Sequence, residues 1–292
     1  MSGLPAFPDN SWPRITVVTP SFNQAMFLEE TIRSVLSQCY PNLEYIIMDG
    51  GSTDGSFDII KKYETQLAYW TSGKDAGASD AITKGFERAT GTILAYLNSD
   101  DVYLPGALQA VAAAMSDPQV DVAYGNLNWI DAKGSILGEQ RQTPFTKLGY
   151  LFAGSTLGQP ATFWKRDLYL KCGGMTSSFR FAFDTDLFFR FALNGARFKH
   201  LNQFVAAFRI HSASKSSNDL EICSRELTQL RQQYLPFPFQ SFRARCVRSL
   251  TRIQRTFWYA VQGDLRWLVS RIPDRIRARH SQEIVGPRGR SL

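Results

Sequence analysis

The chain of 292 residues is 44% hydrophobic and 13% aromatic, a composition that argues against a disordered protein and suffices for a packed core. The net charge of +7 is uneven: residues 221–292 carry 14 arginines, no lysine and five acidic residues, so a partner attracted by basic charge concerns this segment alone. Four widely spaced cysteines without a CxxC pair argue against a disulfide framework or a zinc site, and no apolar run approaches the roughly 18 residues that a membrane span requires.

The first 100 residues alternate between buried strands and amphipathic helices. Residues 15–22, ITVVTPSF, are a short β-branched run that reads as a strand, and apolar residues then recur at helical spacing over 27–36. The alternation continues with strands predicted at 43–50, 67–72 and 92–99 and with helices predicted at 56–64 and 78–89. Strands that alternate with helices imply right-handed crossovers, so we predict an α/β fold with a mostly parallel sheet flanked by helices.

The second half of the chain predicts further elements and a basic end. The elements are a helix over 102–117, strands at 121–131 and 134–142, a loop, strand and short helix within 158–175, a helix over 183–196 and strand-like material over 198–211. From Arg243 to Ile276, apolar residues recur at helical spacing with arginines largely opposite. We therefore divide the chain into an N-terminal lead (1–12), a main domain (13–217) and an Arg-rich helical C-terminal extension (218–292).

Polar turns follow three of the predicted strands: TPSFN at 19–23, MDGGSTDG at 48–55 and LNSDD at 97–101. Ligands of open α/β sheets bind beyond the carboxyl ends of the strands, so this fold would bring all three turns to one edge. The GxGxxG sequence of a dinucleotide site does not follow the first strand, and the chain has no GxxxxGK[ST] loop of a nucleoside triphosphatase. We therefore expect a ligand site of another kind at this edge.

Two acidic pairs and a histidine are the candidates for chemistry. Asp100 and Asp101 are either solvated turn acids or ligands of a hard cation, because Mg²⁺ and Mn²⁺ take one or two protein carboxylates and complete their shell with water and phosphate. Asp184 and Asp186 are either acids favoured at a helix start by its dipole, or they include a general base. His211, in RIHSAS, is either structural or a partner of such a cation or of a phosphate.

Taken together, these segments resemble glycosyltransferase family 2, inverting enzymes of the Rossmann-like GT-A fold. The resemblance covers about residues 13–217 and rests on TPSFN, MDGGSTDGS, KDAGASDAITKG, LNSDD, QPATFW, FDTDLFFRFA and RIHSAS in this order. It implies a nucleotide-diphosphate sugar as donor, a divalent cation (Mn²⁺ or Mg²⁺) as cofactor, and a glycan or lipid-linked acceptor.

The resemblance also implies roles for individual residues. Asp184 falls where the family carries its catalytic base, Asp101 matches the metal ligand that bridges to the diphosphate, and His211 matches a late histidine near the metal or diphosphate. Asp100 matches the acid near the ribose, and Asp49 matches the acid that contacts the nucleoside base. Further donor-binding residues are expected at Pro20, Ser21, Phe22, Lys74, Asp80, Lys84 and Asn98.

This sequence departs from the family pattern in two places. Phe183 stands directly before the expected base where many relatives carry Glu, which leaves Asp186 as an alternative base. Ile82 stands where many relatives carry an arginine, so neutralisation of the diphosphate is expected from the metal, Lys74 or Lys84. The QxxRW motif of processive synthases is absent, which favours transfer of a single sugar.

The expected function is therefore inverting, metal-dependent sugar transfer to a hydroxyl group, in surface polysaccharide or glycoconjugate biosynthesis. A sugar nucleotidyltransferase, although its Gly-rich phosphate loop is missing, and a non-catalytic nucleotide-sugar or glycan-binding module stay open. The C-terminal extension either packs on the main domain or contacts an anionic membrane surface, whereas no nucleic-acid partner is expected because no base-reading module accompanies the charge. We expect a cytoplasmic location. The alternative is peripheral attachment to the cytoplasmic face of the membrane.

Overall fold

A computed structural model describes residues 12–153, 157–211 and 220–263. Nearly all of the predicted N-terminal lead, the Ser-rich loop after His211 and the last 29 residues of the predicted extension lie outside the described residues.

The first four strands form the parallel half of one sheet, in the order β3-β2-β1-β4. They are β1 (Ile15–Ser21), β2 (Leu43–Asp49), β3 (Tyr69–Ser72) and β4 (Ile93–Tyr96). The crossovers run through α1 (Ala25–Leu36), α2 (Ser56–Lys62) and α3 (Ala78–Arg88), with a 3-10 turn at Glu64–Gln66. All seven residues of β1 are buried, because helices cover both faces of a parallel sheet. The predicted strand–helix alternation is confirmed here.

Beyond β4 the sheet becomes mixed, and its full order is β3-β2-β1-β4-β8-β6-β9-β5 with β7 paired to β6. These strands are β5 (Val102–Tyr103), β6 (Val122–Ile130), β7 (Ile136–Gln140), β8 (Thr162–Lys165) and β9 (Phe198–Arg209). β8 is antiparallel to both β4 and β6, whereas β6 and β9 are parallel. The turn between β6 and β7 spans only five residues, too few for a crossover, so these two strands must pair antiparallel.

Six helices follow β4 within the described ranges. They are α4 (Ala107–Met115), α5 (Lys147–Ala153), α6 (Arg166–Lys171), α7 (Phe183–Leu193), α8 (Leu220–Tyr234) and α9 (Phe242–Val261), with a 3-10 turn at Gln159–Ala161 before β8. The helix expected over 102–117 begins later, because Val102 and Tyr103 pair with β9 and Gly106 takes a left-handed φ of 79° just before α4.

Apolar side chains of the sheet alternate between two core clusters. Val17 of β1 belongs to the cluster beneath α1 and α2, whereas its neighbour Val18 belongs to the cluster beneath α3 and α7. Successive residues of a strand point to opposite faces, so β1 supplies both clusters. Leu230 of α8 and Ala244 of α9 are buried in the second of these clusters, so both helices pack on the main domain.

None of the helices in the three described ranges has the length and apolar character that crossing a membrane requires.

Candidate active site

The carboxyl ends of the parallel strands meet at one edge, as predicted. The amide N of Gly50 donates to the carbonyl of Ser21 at 2.8 Å, and the amide N of Gly73 donates to the carbonyl of Asp49 at 2.9 Å. These bonds join the turns after β1, β2 and β3, and residues 97–101 follow β4 beside β1. The edge therefore carries three of the polar turns found in the sequence.

Asp49 builds the turn after β2. Its side chain is buried, and its Oδ2 accepts hydrogen bonds from the amides of Gly51 and Ser52 at 3.2 and 2.9 Å and from Ser72 Oγ at 2.5 Å. Oδ1 accepts from Ser52 Oγ. Because four donors already occupy this carboxylate, Asp49 holds the GGS turn and the end of β3 in place at the wall of a cavity.

That cavity has a volume of about 480 Å³ and lies between the ends of β2 and β3 and helix α3. Asp49, Lys74 and Lys84 are among the residues that line it. Lys84 Nζ donates to Asp80 Oδ2 at 2.7 Å, and the same oxygen accepts from the amide of Ala76 at 3.0 Å. The ammonium of Lys84 lowers the pKa of Asp80, so Asp80 orients Lys84 rather than lining the cavity.

The turn after β1 lies beside this cavity. Pro20 pairs with β2 inside the sheet, and the hydroxyl of Ser21 is buried without a hydrogen-bond partner among the described residues. The ring of Phe22 is 54% exposed and stands next to Gly50, where an added Cβ would lie only 3.2 Å from it. An exposed ring beside a glycine and an unpartnered buried hydroxyl suit a planar polar ligand.

The two acids of LNSDD face different surroundings. Asp100 Oδ2 lies 3.0 Å from His211 Nε2, and its side chain keeps 20% exposure. Asp101 is fully buried: Oδ1 accepts from the amide of Arg209 at 2.9 Å, and Oδ2 accepts from Asn98 Nδ2 at 3.2 Å. Burial, and then the charge of Asp100, raise the pKa of Asp101 well above its usual range.

This arrangement does not favour the roles that the resemblance implied for the two acids. A cation that reaches a bound diphosphate needs an accessible carboxylate, and Asp101 has no exposed surface. Asp100 is accessible, and His211 points at it rather than at Asp101. The sequence could not separate the two acids because they are adjacent, whereas burial separates them completely.

Arg209 was not identified from the sequence, although it holds this turn together. Its guanidinium is almost fully buried and donates to the carbonyl of Asp100 at 2.8 Å, to the carbonyl of Asp131 at 3.1 Å and to Glu30 Oε2 at 2.6 Å. An arginine at the end of a buried strand, two residues before His211, is the signal that could have identified it.

Asp184 lies in the first turn of α7, in surroundings that raise its pKa. Its Oδ1 accepts from the amide and hydroxyl of Thr185 at 2.6 and 3.2 Å, and no described residue donates a hydrogen bond to Oδ2. Burial raises the pKa of Asp184 to about 6. Burial, and then the charge of Asp184, raise the pKa of Tyr96 and of Tyr150, and the charge of Asp101 also raises the pKa of Tyr96. Tyr96 ends β4, so Asp184 lies on the LNSDD side of the site.

Asp186 is not available as the alternative base. It is 2% exposed, and its Oδ2 forms an ion pair with Arg190 at 2.7 Å. Its Oδ1 accepts from Tyr234 of α8 at 2.7 Å. A buried carboxylate with both oxygens occupied anchors two helices and does not exchange protons with a substrate.

Two further residues, Gln159 and Glu226, position segments of the site and were not predicted from the sequence. Gln159 Nε2 donates to the carbonyl of Tyr96 at 2.7 Å, and its Oε1 accepts from Asn98, which steadies the start of LNSDD. Glu226 of α8 accepts from the amides of Arg180, Phe181 and Ala182 at 2.8 to 2.9 Å, immediately before α7. Gln159 stands in the QPATFW motif, but its contacts across the tertiary structure could not be assigned from the sequence, and Glu226 lies in no motif.

Among the described residues, no group of three or more Asp, Glu, His or Cys side chains could by itself hold a metal ion. The pair Asp100 and His211 offers one carboxylate and one imidazole, a donor set that suits Mn²⁺ or Mg²⁺ when substrate phosphates and water supply the remaining ligands. The residues present therefore fit a cation that is shared with a phosphorylated ligand.

Comparison with known proteins identifies the family of this chain. The family model of glycosyl transferase family 2 matches residues 16–185. An uncharacterized glycosyltransferase of Mycobacterium tuberculosis is 32% identical over 187 residues, which are 63% of this chain and 70% of that protein. The putative teichuronic acid biosynthesis glycosyltransferase TuaG of Bacillus subtilis is 39% identical over 137 residues, 45% of this chain and 54% of TuaG.

Solved structures share the fold. S. aureus TarS 1–349 in complex with UDP-GlcNAc has a TM-score of 0.64 at 17% identity, covering 82% of this chain and 71% of that one. The mannosyltransferase PcManGT of Pyrobaculum calidifontis, in complex with GDP-Man and Mn²⁺, has a TM-score of 0.61 at 19% identity, covering 78% and 66%. Because the family model spans more than half of the sequence, this chain belongs to glycosyl transferase family 2 and is a glycosyltransferase with the GT-A fold.

Proposed function

We propose that this glycosyltransferase carries out inverting, metal-dependent transfer of one sugar from a nucleotide-diphosphate sugar to a hydroxyl of a glycan or lipid-linked acceptor. The observation that carries the proposal is Asp184, whose pKa is raised to about 6 by burial and whose Oδ2 receives no hydrogen bond from any described residue. A general base works best when its pKa lies near the pH of the reaction, and Asp184 has this property without a charged partner.

The nucleoside end of the donor is proposed to occupy the edge formed by the turns after β1 and β2. Pro20, Ser21, Phe22 and Asp49 would surround the base and ribose there. The free hydroxyl of Ser21 and the exposed ring of Phe22 suit hydrogen bonding and stacking. UDP-GlcNAc bound to TarS and GDP-Man bound to PcManGT support a donor of this class.

The diphosphate is proposed to lie between the LNSDD turn and the lysines of the neighbouring cavity. Lys74 and Lys84 line that cavity, with Lys84 oriented by Asp80, and both would neutralise phosphate charge. Asn98 already hydrogen-bonds at the start of the turn. Positive groups on this side stabilise the leaving nucleoside diphosphate as its negative charge grows.

A divalent cation would be held by Asp100 and His211. This replaces the assignment of the metal ligand to Asp101, which instead fixes the turn through the amide of Arg209. When bound, the cation supplies Lewis-acid stabilisation of the diphosphate leaving group. Mn²⁺ in the PcManGT complex supports divalent-cation use in this fold.

Asp184 would take the proton of the acceptor hydroxyl. Its Oδ1 is fixed by Thr185, so Oδ2 is the oxygen that accepts the proton. The hydroxyl oxygen then forms a bond to the anomeric carbon as the bond to the diphosphate breaks, and this single displacement inverts the anomeric configuration. Asp184 returns the proton to solvent after the product leaves.

The proposal also covers the cellular process in which the enzyme acts and the number of sugars that it transfers. The name of TuaG, with teichuronic acid biosynthesis as its setting, supports a role in cell-surface polysaccharide synthesis. The absence of QxxRW favours addition of one sugar per encounter. We propose a cytoplasmic enzyme whose catalytic domain is 13–217 and whose Arg-rich segment, 218–292, is an extension.

A thermal-shift screen tests the donor and the cation together. Nucleoside diphosphates and nucleotide sugars are added with and without Mn²⁺, and we expect one nucleotide to raise the melting temperature strongly only when Mn²⁺ is present. The same nucleotide sugar, incubated with Mn²⁺ alone, should be slowly hydrolysed, which a purely binding module would not do. Stabilisation by nucleoside triphosphates with release of pyrophosphate would instead support a nucleotidyltransferase and overturn the proposal.

A further inference from the structure

Helix α9 is fixed to the domain through one face. Ala244, Thr251 and Tyr259 are buried on this face, and Tyr259 Oη donates to the carbonyl of Arg141 at 2.8 Å. Thr251 packs so closely on α5 that a Cβ added to Gly149 would lie 3.1 Å from its methyl group. The orientation of α9 about its axis is therefore set by contacts with the domain.

The opposite face of α9 is apolar and exposed. Five large side chains on this face are between 62% and 72% exposed: Phe242, Leu250, Ile253, Phe257 and Val261. Leu250, Ile253, Phe257 and Val261 follow one another at steps of three and four residues, and Phe242 lies eight residues before Leu250 on the same side of a 20-residue helix, about 30 Å in length. We call these five residues the outer stripe. A stripe of this length is unusual on a water-facing surface, where exposed apolar residues normally occur singly.

Arginines border the outer stripe, and no acid accompanies them. α9 contains five arginines and neither Asp nor Glu. Arg248 turns inward and donates to the carbonyl of Phe239 at 2.6 Å, whereas Arg243, Arg245 and Arg252 are exposed and form no ion pair among the described residues. An apolar line with cations along its edges is the pattern of helices that lie in the interface of an anionic bilayer.

We propose that α9 docks this protein on an anionic lipid bilayer, with the outer stripe inserted at the headgroup–acyl boundary and Arg243, Arg245 and Arg252 paired with lipid phosphates. Charge favours a bilayer over a second copy of the chain. Two antiparallel copies of α9 packed through the outer stripe would bring arginines of like charge together with no acid on either helix to separate them. Anionic headgroups supply the missing negative charge.

The docking surface lies near Asp184, the proposed general base. α9 packs on α5, and α5 packs on α7, which carries Asp184. A docked enzyme would thus hold its acceptor side within two helix layers of the bilayer, where lipid-linked acceptors reside. This consequence rests on the proposed function, whereas the docking itself does not.

Vesicle flotation of the full-length chain, without donor or metal, tests the docking alone. The wild type is compared on phosphatidylcholine vesicles with and without phosphatidylglycerol, at low and high salt. One variant, Ile253→Ser with Phe257→Ser, weakens the stripe, and another, Arg245→Gln with Arg252→Gln, removes two charges. The matched control is Ile136→Ser with Leu137→Ser, an exposed apolar pair on β7 that is 66% and 58% exposed. All substituted side chains are exposed, so folding should be retained and is checked by thermal melting.

We expect the wild type to float only with anionic vesicles and to be released by high salt. The arginine variant should bind about 25-fold more weakly, since each arginine near an anionic surface contributes about fivefold. The stripe variant should lose on the order of tenfold or more, and the control should bind like the wild type. Equal binding by the wild type and both α9 variants would place any affinity outside α9 and overturn the proposal. The proposal would also be overturned if the wild type did not bind the vesicles. It would be overturned as well if the wild type were a dimer and the stripe variant a monomer.

Discussion

His211 Nε2 lies 3.0 Å from Asp100 Oδ2, while the neighbouring carboxylate of Asp101 is turned into the protein and accepts a hydrogen bond from the amide of Arg209. The ring of His211 packs on Phe27 with 4.6 Å between centroids, so β9 and α1 together fix its direction. Two adjacent acids thereby receive different tasks. Asp100 faces the ligand edge, and Asp101 shapes the loop that presents it.

Replacing each acid by its amide separates these tasks. Asp100→Asn should weaken the Mn²⁺-dependent part of nucleotide binding by at least about tenfold, because the carboxylate of the proposed cation pair is lost. Asp101→Asn should leave the Mn²⁺ response near that of the wild type, since this side chain is fully buried, faces the amide of Arg209 and the side chain of Asn98, and does not reach the ligand edge. Titration of Mn²⁺ by thermal shift, at fixed nucleoside diphosphate, measures both.

The stabilities of these variants provide the control. Asp100→Asn should change the free energy of unfolding by less than about 0.5 kcal/mol, and Asp101→Asn should cost about 1 kcal/mol, because the new amide meets the Nδ2 donor of Asn98. A normal Mn²⁺ response in Asp100→Asn together with a lost response in Asp101→Asn would restore the original assignment of the metal ligand.

The pH dependence of kcat should follow the ionisation of Asp184. A base must be deprotonated, so kcat should rise with pH through a midpoint near the pKa of about 6 and then level off. Asp184→Asn should lower kcat by about 10² to 10⁴ with little change in donor binding, and it should abolish this rise. Initial rates across a pH series measure the profile. A variant that keeps both turnover and the pH profile would remove Asp184 from the reaction.

The same substitution should stabilise the fold. The pKa of the Asp184 carboxyl is about 6 in the folded protein and 3.8 in the unfolded chain, because burial disfavours the ionised form. The free energy of unfolding therefore falls as the pH rises between these two values. At pH 7, Asp184→Asn should therefore raise the free energy of unfolding by about 1 to 3 kcal/mol, given 1.36 kcal/mol per pKa unit and the partial exposure of the side chain. Below about pH 4 the gain should vanish, because the carboxyl is protonated in both states. Denaturant unfolding at both pH values decides the matter, and an equal gain at both would point to another cause.

Glu226 of helix α8 should affect the general base Asp184 without contacting it. Glu226→Ala removes the carboxylate that caps three consecutive amides just before α7, and the loss of such a cap costs about 1 to 2 kcal/mol. Because the caps orient the segment that leads to Asp184, kcat should fall between about tenfold and 100-fold while KM for the donor stays unchanged.

Glu221→Ala is the matched control for this prediction. Glu221 lies on the same helix, pairs with the exposed Arg225 and is 88% exposed, so its loss should leave stability and kcat unchanged. Glu226→Gln should recover part of the activity, since an amide oxygen can still accept from the segment. Equal effects of Glu221→Ala and Glu226→Ala, or a change in KM alone, would contradict a positioning role.

Much of the fold follows from local sequence pattern. The β-branched runs ending in TPSFN, MDGGSTDG and LNSDD predict parallel strands with polar turns at one edge, and hydrogen bonds between Gly50 and Ser21 and between Gly73 and Asp49 join these turns as expected. The antiparallel pairing of β8 with β4, and the strand formed by Val102 and Tyr103, did not follow, because these pairings depend on partners about 70 to 105 residues away.

The sequence by itself determined the family, the strand-end turns and the acids at 100, 101 and 184, since each depends on residue type and short-range spacing. The tertiary structure alone decided which acid of the LNSDD pair faces the ligand edge, that Asp186 is occupied by Arg190 and Tyr234, and which face of α9 meets the domain. Accessibility and the pKa of a carboxyl depend on atoms from distant segments, such as the amide of Arg209 beside Asp101. Those atoms come together only when the chain is folded.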